Sequence, residues 1–340
     1  MNLRFKKIWF FLLPAVLLLM TGSESLSLET VIETAAGYND NVPLLPDKTG
    51  SAFMRYQMKL DHRFFSGSLA WDGDVFVTGI YRDYFQVSDN YQIKAGGSLN
   101  YALSDGRLPV GVSSEAMLYR DDYIEEDDRS EISFAAQMDW LATSRMTLGL
   151  RQSWIWADYR NPFIISTSGH HYGPGAGMMN CEGQGQSSEL TFGNKVCADG
   201  REMSGQPLSD EVSRNDRIHI TGLKAMFFLT PEIQSDLLFE HRRLNSSSDM
   251  ESYSRNSLSL SLLWTPNDLW EISSTAAGRR AEFDDETDRR DTLYSGSIGI
   301  SRFIGKFELF FQFEWTKNDS SLDIECFRQT VTQCGMALSF

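Results

Sequence analysis

Beyond residue 20 this chain has no apolar run long enough to cross a membrane as a helix. Before it there is one, Ile8 to Met20, broken by Pro14 and shorter than the about 20 apolar residues that a spanning helix needs. Arg4, Lys6 and Lys7 precede that run and Ser23-Glu24-Ser25 follows it, the layout of a secretory signal over residues 1–25. No cysteine stands near residues 20–28, which excludes a lipoprotein anchor there. Positive charge is also scarce. The 31 Lys and Arg against 46 Asp and Glu leave a net charge of −15, so the basic clusters that nucleic-acid phosphates require are missing. Histidine numbers five, and none sits beside a serine in a recognisable motif, which speaks against a nucleophile–base enzyme.

Cysteine is sparse too, at four. Cys181 and Cys197 share one irregular segment and can close a short loop in an exported protein. Cys326 and Cys334 lie eight residues apart on what reads as one extended strand, about 26 Å at about 3.3 Å per residue, and cannot pair with each other.

What is present is alternation. Hydrophobic residues make up 41% of the chain and the mean hydropathy is −0.31, as for a soluble protein; a transmembrane barrel averages out the same way because lipid-facing and lumen-facing residues cancel. Pattern has to separate the two. Counting back by two from the last residue gives Phe340, Leu338, Met336 and Cys334 on one face, with Ser339, Ala337, Gly335 and Gln333 on the other, the period of a two-faced strand. The same reading predicts about fourteen strands, near 28–39, 51–63, 67–82, 91–103, 109–120, 129–141, 145–158, 215–229, 232–244, 253–265, 268–282, 291–304, 305–316 and 327–340. In strand 145–158 the pattern is disturbed by Gln152, which shares a face with Leu148, Leu150 and Trp154.

Short connections (such as Thr143-Ser144, Thr230-Pro231 and Pro266-Asn267) alternate with long polar ones, 40–50, 83–90, 121–128, 159–214, 245–252, 283–290 and 317–326. A meander with tight turns at one rim and long loops at the other is the asymmetry of outer-membrane barrels. A Greek-key sandwich has no reason to keep that parity. The predicted fold is therefore an all-β, antiparallel up-and-down transmembrane barrel of about fourteen strands over residues 26–340, with short periplasmic turns and long extracellular loops. Tyr119, Tyr123, Trp140, Trp154, Trp156, Trp264, Trp270 and Trp315 fall towards strand ends, as interfacial girdles do.

The octet Gln333-x-Gly335-x-x-Leu338-x-Phe340 resembles the closing-strand signal of bacterial outer-membrane β-barrels, which implies recognition by the barrel-assembly machinery and insertion into the outer membrane. Gly37-Tyr38-Asn39-Asp40-Asn41-Val42 is similar to the opening of a broad group of β-barrel porins. Asn318-Asp319-Ser320-Ser321 with Phe327-Arg328, Val331, Gly335 and Phe340 resembles the closing hairpin of that group. The group includes the barrels of surface lipoprotein assembly modifiers and barrels encoded with exopolysaccharide export systems, so an export system is an implied partner. The assembly-modifier type carries an amino-terminal helical repeat domain, whereas here the first strand follows the signal within a few residues.

Alternation assigns Glu33, Arg55, Lys59, Asp72, Asp74, Lys94, Glu115, Arg151, Lys224, Asp236, Glu240, Arg279, Glu308 and Glu314 to the lumen, with Glu29, Asp139, Arg242 and Glu271 beside them. The acidic majority predicts a passage with a mild preference for cations or uncharged solutes. Fourteen strands lie between side-chain-filled eight-stranded barrels and open sixteen-stranded porins, so size leaves both an open and a plugged lumen. Loop 159–214, with Gly169-His170-His171-Tyr172-Gly173-Pro174-Gly175, either folds inward as a constriction or outward as a binding surface. Adjacent His170 and His171 have no evident third partner for a metal. The acidic runs Asp121 to Asp128 and Asp284 to Asp288 lack calcium-loop spacing and read as solvated loop faces that can hold ions bridging lipopolysaccharide. No cofactor is implied. The functions that follow are a passive channel or export conduit, then a non-conducting structural or adhesion barrel, then a barrel-embedded lipid-modifying enzyme.

Overall fold

A computed structural model describes residues 28–42, 44, 49–65, 71–104, 106–122, 127–160, 163–164, 211–212, 214–247, 251–284 and 288–340. The alternating segments form fourteen long strands: β1 (Leu28–Asn39), β2 (Ser51–Phe65), β3 (Trp71–Tyr84), β4 (Asn90–Leu103), β5 (Leu108–Asp121), β6 (Arg129–Thr143), β7 (Met146–Tyr159), β8 (Asn215–Thr230), β9 (Ile233–Ser246), β10 (Tyr253–Asn267), β11 (Trp270–Phe283), β12 (Arg290–Ile304), β13 (Phe307–Ser320) and β14 (Phe327–Ser339). Each pairs antiparallel with its sequence neighbours, and β1 pairs with β14, so the sheet closes into a barrel. Closure matters because no strand then presents unpaired backbone groups to hydrocarbon. The signal segment and the Cys181, Cys197, His170 and His171 readings lie outside the described residues.

Most boundaries fall within two residues of the sequence reading, and two depart by four. β3 begins at Trp71 rather than at 67. β13 runs to Ser320 rather than 316, because Lys317, Asn318 and Asp319 still pair with Tyr294, Leu293 and Thr292; these polar residues continue a backbone ladder that hydrophobic alternation does not mark. A two-residue ladder, Phe163–Ile164 with Glu211–Val212, joins the flanks of the longest connection and was not expected.

Two residues separate the strands at 144–145, 231–232, 268–269 and 305–306. In the last of these Gly305 takes φ +62°, a conformation that tight hairpin turns need. The opposite rim carries connections from 85–89 up to 160–214. The strict alternation of short and long fails once, since 66–70 and 85–89 are of equal length.

The closing ladder pairs Ile32 with Leu338, Ala35 with Gly335 and Asn39 with Val331. Gly335 lies on the inner face under the ring of Phe310. A Cβ there would stand 2.8 Å from Ala35 Cα and 2.7 Å from Phe310 Cζ, so this position requires glycine. Gln333, two residues earlier, donates to the Gln312 side chain on the neighbouring strand.

Outward faces are apolar and exposed: Val75, Val77, Leu99, Val112, Leu150, Leu223, Leu258, Leu260, Ile298, Phe311 and Phe313 among them. Exposed Trp156, Trp154, Trp315, Tyr294 and Tyr56 stand within five residues of the long-loop ends, and Trp140, Trp264, Trp270 and Phe307 within three of the short-turn ends. From Trp315 to Phe307 is about 26 Å along the strand, or about 20 Å along the normal at a tilt of about 40°. Two aromatic belts thus bracket an aliphatic band of membrane height. Tyr119 does not belong to them; it faces inward and is 2% exposed.

Candidate functional site

The expected lumen residues all fall on the parity opposite to the exposed apolar set, and they are tied to their neighbours along the wall. Arg55 pairs with Glu33, Lys94 Nζ lies 3.8 Å from Glu115 and Lys224 Nζ 3.5 Å from Asp236. Lys59 Nζ lies 3.2 Å from Asp61. Asp72 accepts from Asn100 at 3.2 Å, Asp74 from Ser98, Glu240 from Ser257 at 3.5 Å and Glu308 from Ser301 at 2.6 Å. Arg151 sits opposite Gly222, Arg279 opposite Ser257 and Glu314 opposite Ser297. Apart from Lys59 with Asp61, which lies within β2, these contacts join adjacent strands rather than opposite walls.

Between these charges the inner wall of β10 to β12 carries small polar residues, Ser257, Ser259, Ser261, Ser273, Thr275, Ser295 and Ser297, paired rung by rung. Ser261 and Thr275 share a hydrogen bond of 3.0 Å. Such small residues keep the inner wall low along these three strands.

The long-loop end is built differently. Ile155, Ile218, Leu244, Tyr253 and Phe283 occupy one inward rung across β7 to β11 and are buried together. Around this apolar rung stand three units that the sequence reading missed, each an arginine, any residue and an acid, where a strand begins after a long connection. Arg129 reaches Glu131 at 2.6 Å and lies 4.7 Å over the ring of Tyr119. Arg214 reaches Asp216 at 2.7 Å and lies 4.4 Å over Tyr159. Arg289 reaches Asp291 at 2.7 Å and lies 4.2 Å over Phe283. Residues two apart on a strand share a face, so each arginine folds back onto the acid two residues on and covers an aromatic at or near the end of the preceding strand. The repeated Arg-x-Glu/Asp spacing was the available signal.

Glu251, from the connection between β9 and β10, is fully buried among these units, 3.7 Å from Arg214. Burial pushes its carboxyl up to about 8 despite the pull of Arg214 and Arg289. Asp216, which accepts three bonds from Arg214, and Glu325 push the Glu251 carboxyl in the same upward direction as burial. The acidic run near 121–128 is also not a solvated face at its ends. Asp121 and Asp128 are buried, Asp128 accepts from the Asp121 amide at 2.8 Å, and Asp121 accepts from the Tyr119 hydroxyl at 2.7 Å. Leu44 of the first long connection packs on Leu293 and Phe327.

Gln152 points outward, as the sequence pattern implied, and its neighbours explain how it is tolerated. It bonds the His219 ring and accepts from Thr221 at 3.1 Å. Pairing continues Gln152 through Thr221, His241, Asn256, Arg280 and Thr292 to Asp319. This polar outer line climbs towards the long-loop rim, where it ends the apolar band. His241 bonds Asn256 at 2.9 Å, but the hydroxyl opposite it, Thr221, is given to Gln152. The described histidines, His62, His219 and His241, all face outward. Among the described residues no group of three His, Cys, Asp or Glu side chains is placed to hold a metal ion. Cys326 and Cys334 are both free thiols.

A closed antiparallel barrel with a lipid-facing apolar band, two aromatic belts and a polar inner wall is an outer-membrane β-barrel of porin-like build. Solved structures of similar architecture include a bacterial polysaccharide outer membrane secretin (11% identity, 92% of this chain and 98% of that one, TM-score 0.48). Others are OmpT of Vibrio cholerae (7%, 94% and 99%, 0.49) and an outer membrane channel from Pseudomonas putida F1 (10%, 94% and 97%, 0.43). No protein-family model matches the chain, and no characterised protein matches it in sequence.

Proposed function

We propose that this barrel is a channel or export conduit of the outer membrane, passing small or polymeric solutes passively with a mild preference for cations and uncharged species. The observation that carries it is the inner wall of serines and threonines on β10 to β12, which leaves room for water where a filled barrel would place large apolar side chains. The preference comes from the short-turn half of the lumen. There Asp72, Asp74, Asp139, Asp236, Glu271 and Glu308 face Lys59, Arg63, Arg151 and Lys224, and a carboxylate excess in a narrow, low-dielectric passage raises the local cation concentration. Lipopolysaccharide would meet the outer polar line. The assembly machinery would read Gln333, Gly335, Leu338 and Phe340, and an export system would supply a polymeric solute from the periplasm.

The test is conductance of the refolded protein in a planar bilayer under a salt gradient. Stable openings with a reversal potential on the cation side are expected; no current from protein that keeps heat-modifiable migration would end the reading.

A second reading, a non-conducting structural or adhesion barrel whose outer loops bind a partner, is favoured by the mouth. Arg242, Glu251, Asp216 and Asp291 are each at most 1% exposed near the long-loop rim, and Leu44 folds in against β12 and β14. Removal of residues 165–210 separates the two: conductance rises if the mouth is a constriction. A lipid-modifying enzyme is the third reading, and the engagement of Thr221 by Gln152 speaks against it, since the hydroxyl opposite His241 is then already bonded.

A further inference from the structure

Directly beneath the buried apolar rung, Arg242 of β9 stands opposite Arg255 of β10, both on the inner face. Arg279 of β11 is the diagonal neighbour, since Arg255 pairs with Ala281 and Arg279 with Ser257. Like charges directly opposite one another in a sheet are destabilising. A buried guanidinium without a partner costs more. Arg255 is 5% exposed and Arg242 1%, and neither Nε nor Nη1 of Arg255 has a hydrogen-bond partner. The hydroxyl of Tyr253, two residues away on the same face and 2% exposed, is also without one.

The described acids nearest to this rung have other partners as well. Asp216 is taken by Arg214 and Asp291 by Arg289 and by the Ser320 hydroxyl at 2.5 Å. Asp291 lies on the rung of Arg242 and Arg255, beyond Ala281, and Glu240 on that of Arg279, where it accepts from Ser257. The result is a niche of three guanidinium groups in which three donors, on Arg255 and Tyr253, lack an acceptor beneath an apolar roof.

We propose that Arg242, Arg255, Arg279 and Tyr253 form an oxyanion-binding site on the lumen wall, taking a carboxylate or phosphate group. An oxygen-bearing anion would give the Arg255 fork and the Tyr253 hydroxyl their acceptors and would offset the facing guanidinium groups. In a water-poor niche that attraction is strong. The anion is either a small resident ion or an acidic group of a passing solute; the second source rests on the channel reading, the site itself does not.

Calorimetry on the refolded protein in detergent at low salt tests it, with inorganic phosphate, glucuronate and uncharged glucose as probes. The wild type should bind at least one of the two anions and not glucose, and Arg255→Gln should weaken that binding roughly tenfold or more, the loss expected of a charge-assisted pair. Phosphate alone binding would mark a small resident ion, whereas glucuronate binding would mark a solute's carboxylate. No binding of either anion to protein with intact heat-modifiable migration overturns the site, as does equal binding by Arg255→Gln or by glucose. If Arg255→Gln does not fold, the thermal midpoint of the wild type decides: it rises with the binding anion, and an unchanged midpoint refutes the site. Because no current is measured, a barrel that fails to conduct leaves this result standing.

Discussion

The amide of Phe340 donates to the carbonyl of Thr30 at 2.9 Å, so the last residue of the chain is bonded to the first strand and completes the barrel's short-turn rim. Its ring, 51% exposed, belongs to the lower aromatic belt. The same strand brings Gly335 against Ala35, and this contact sets the first prediction. Gly335→Val would drive a side chain into the backbone of β1, and closure cannot give way without breaking ladder bonds. Loss of heat-modifiable migration is expected, while Leu338→Met, which faces lipid, should keep it. Normal migration of the valine variant would show that the ladder yields there.

Glu251 gives a pH dependence. Its ordinary value is 4.5 and burial raises it to about 8, so the folded mouth holds a proton that the unfolded chain releases. The stability it contributes is therefore full below about pH 4.5 and lost as pH rises through about 8. The thermal midpoint of the wild type should fall over that interval relative to Glu251→Gln, which cannot ionise. Parallel curves for the two proteins would mean that Glu251 is ionised in the fold.

The outward cluster predicts non-additivity. Gln152→Leu leaves His219 and Thr221 without their partner in a lipid-facing position, at a cost of about 1–3 kcal/mol. Replacing all three by apolar residues should recover most of that loss, since lipid accepts an apolar face. Urea unfolding from vesicles measures both; a triple variant weaker than the single one would mean that the polar groups meet water or headgroups.

Selectivity should follow the lower lumen. Asp74→Asn with Glu308→Gln, both near the short-turn rim, should shift the reversal potential towards anions while leaving the fold intact, as gel migration would show. An unchanged potential would place the selective region elsewhere, the arginine niche being the next place to alter.

The fold was legible because its cause is local. A period of two repeated through Met54 to Leu60, Leu258 to Trp264 and Phe307 to Trp315 is imposed by lipid on one face and a polar lumen on the other, and parity follows from chain order. Even the anomaly of Gln152 was placed on the correct face. Residues that depart from the period were not legible: Ile155, Ile218, Leu244 and Phe283 are apolar yet face inward, because the mouth is packed rather than wet. The arginine units escaped for a related reason. Arg129, Arg214 and Arg289 lie in or next to polar connections, where a charge run reads as solvated until the aromatic ring and the acid beside it are known.

By itself, the sequence determined strand number, facing and the barrel class, since each depends on neighbours along one strand. Only the tertiary structure decided that Arg242 and Arg255 face each other, that Glu251 is buried and that Leu44 reaches Leu293 and Phe327. Those relations are set by register between strands and by loops returning over the rim, and burial, not residue type alone, is what gives those side chains their chemistry.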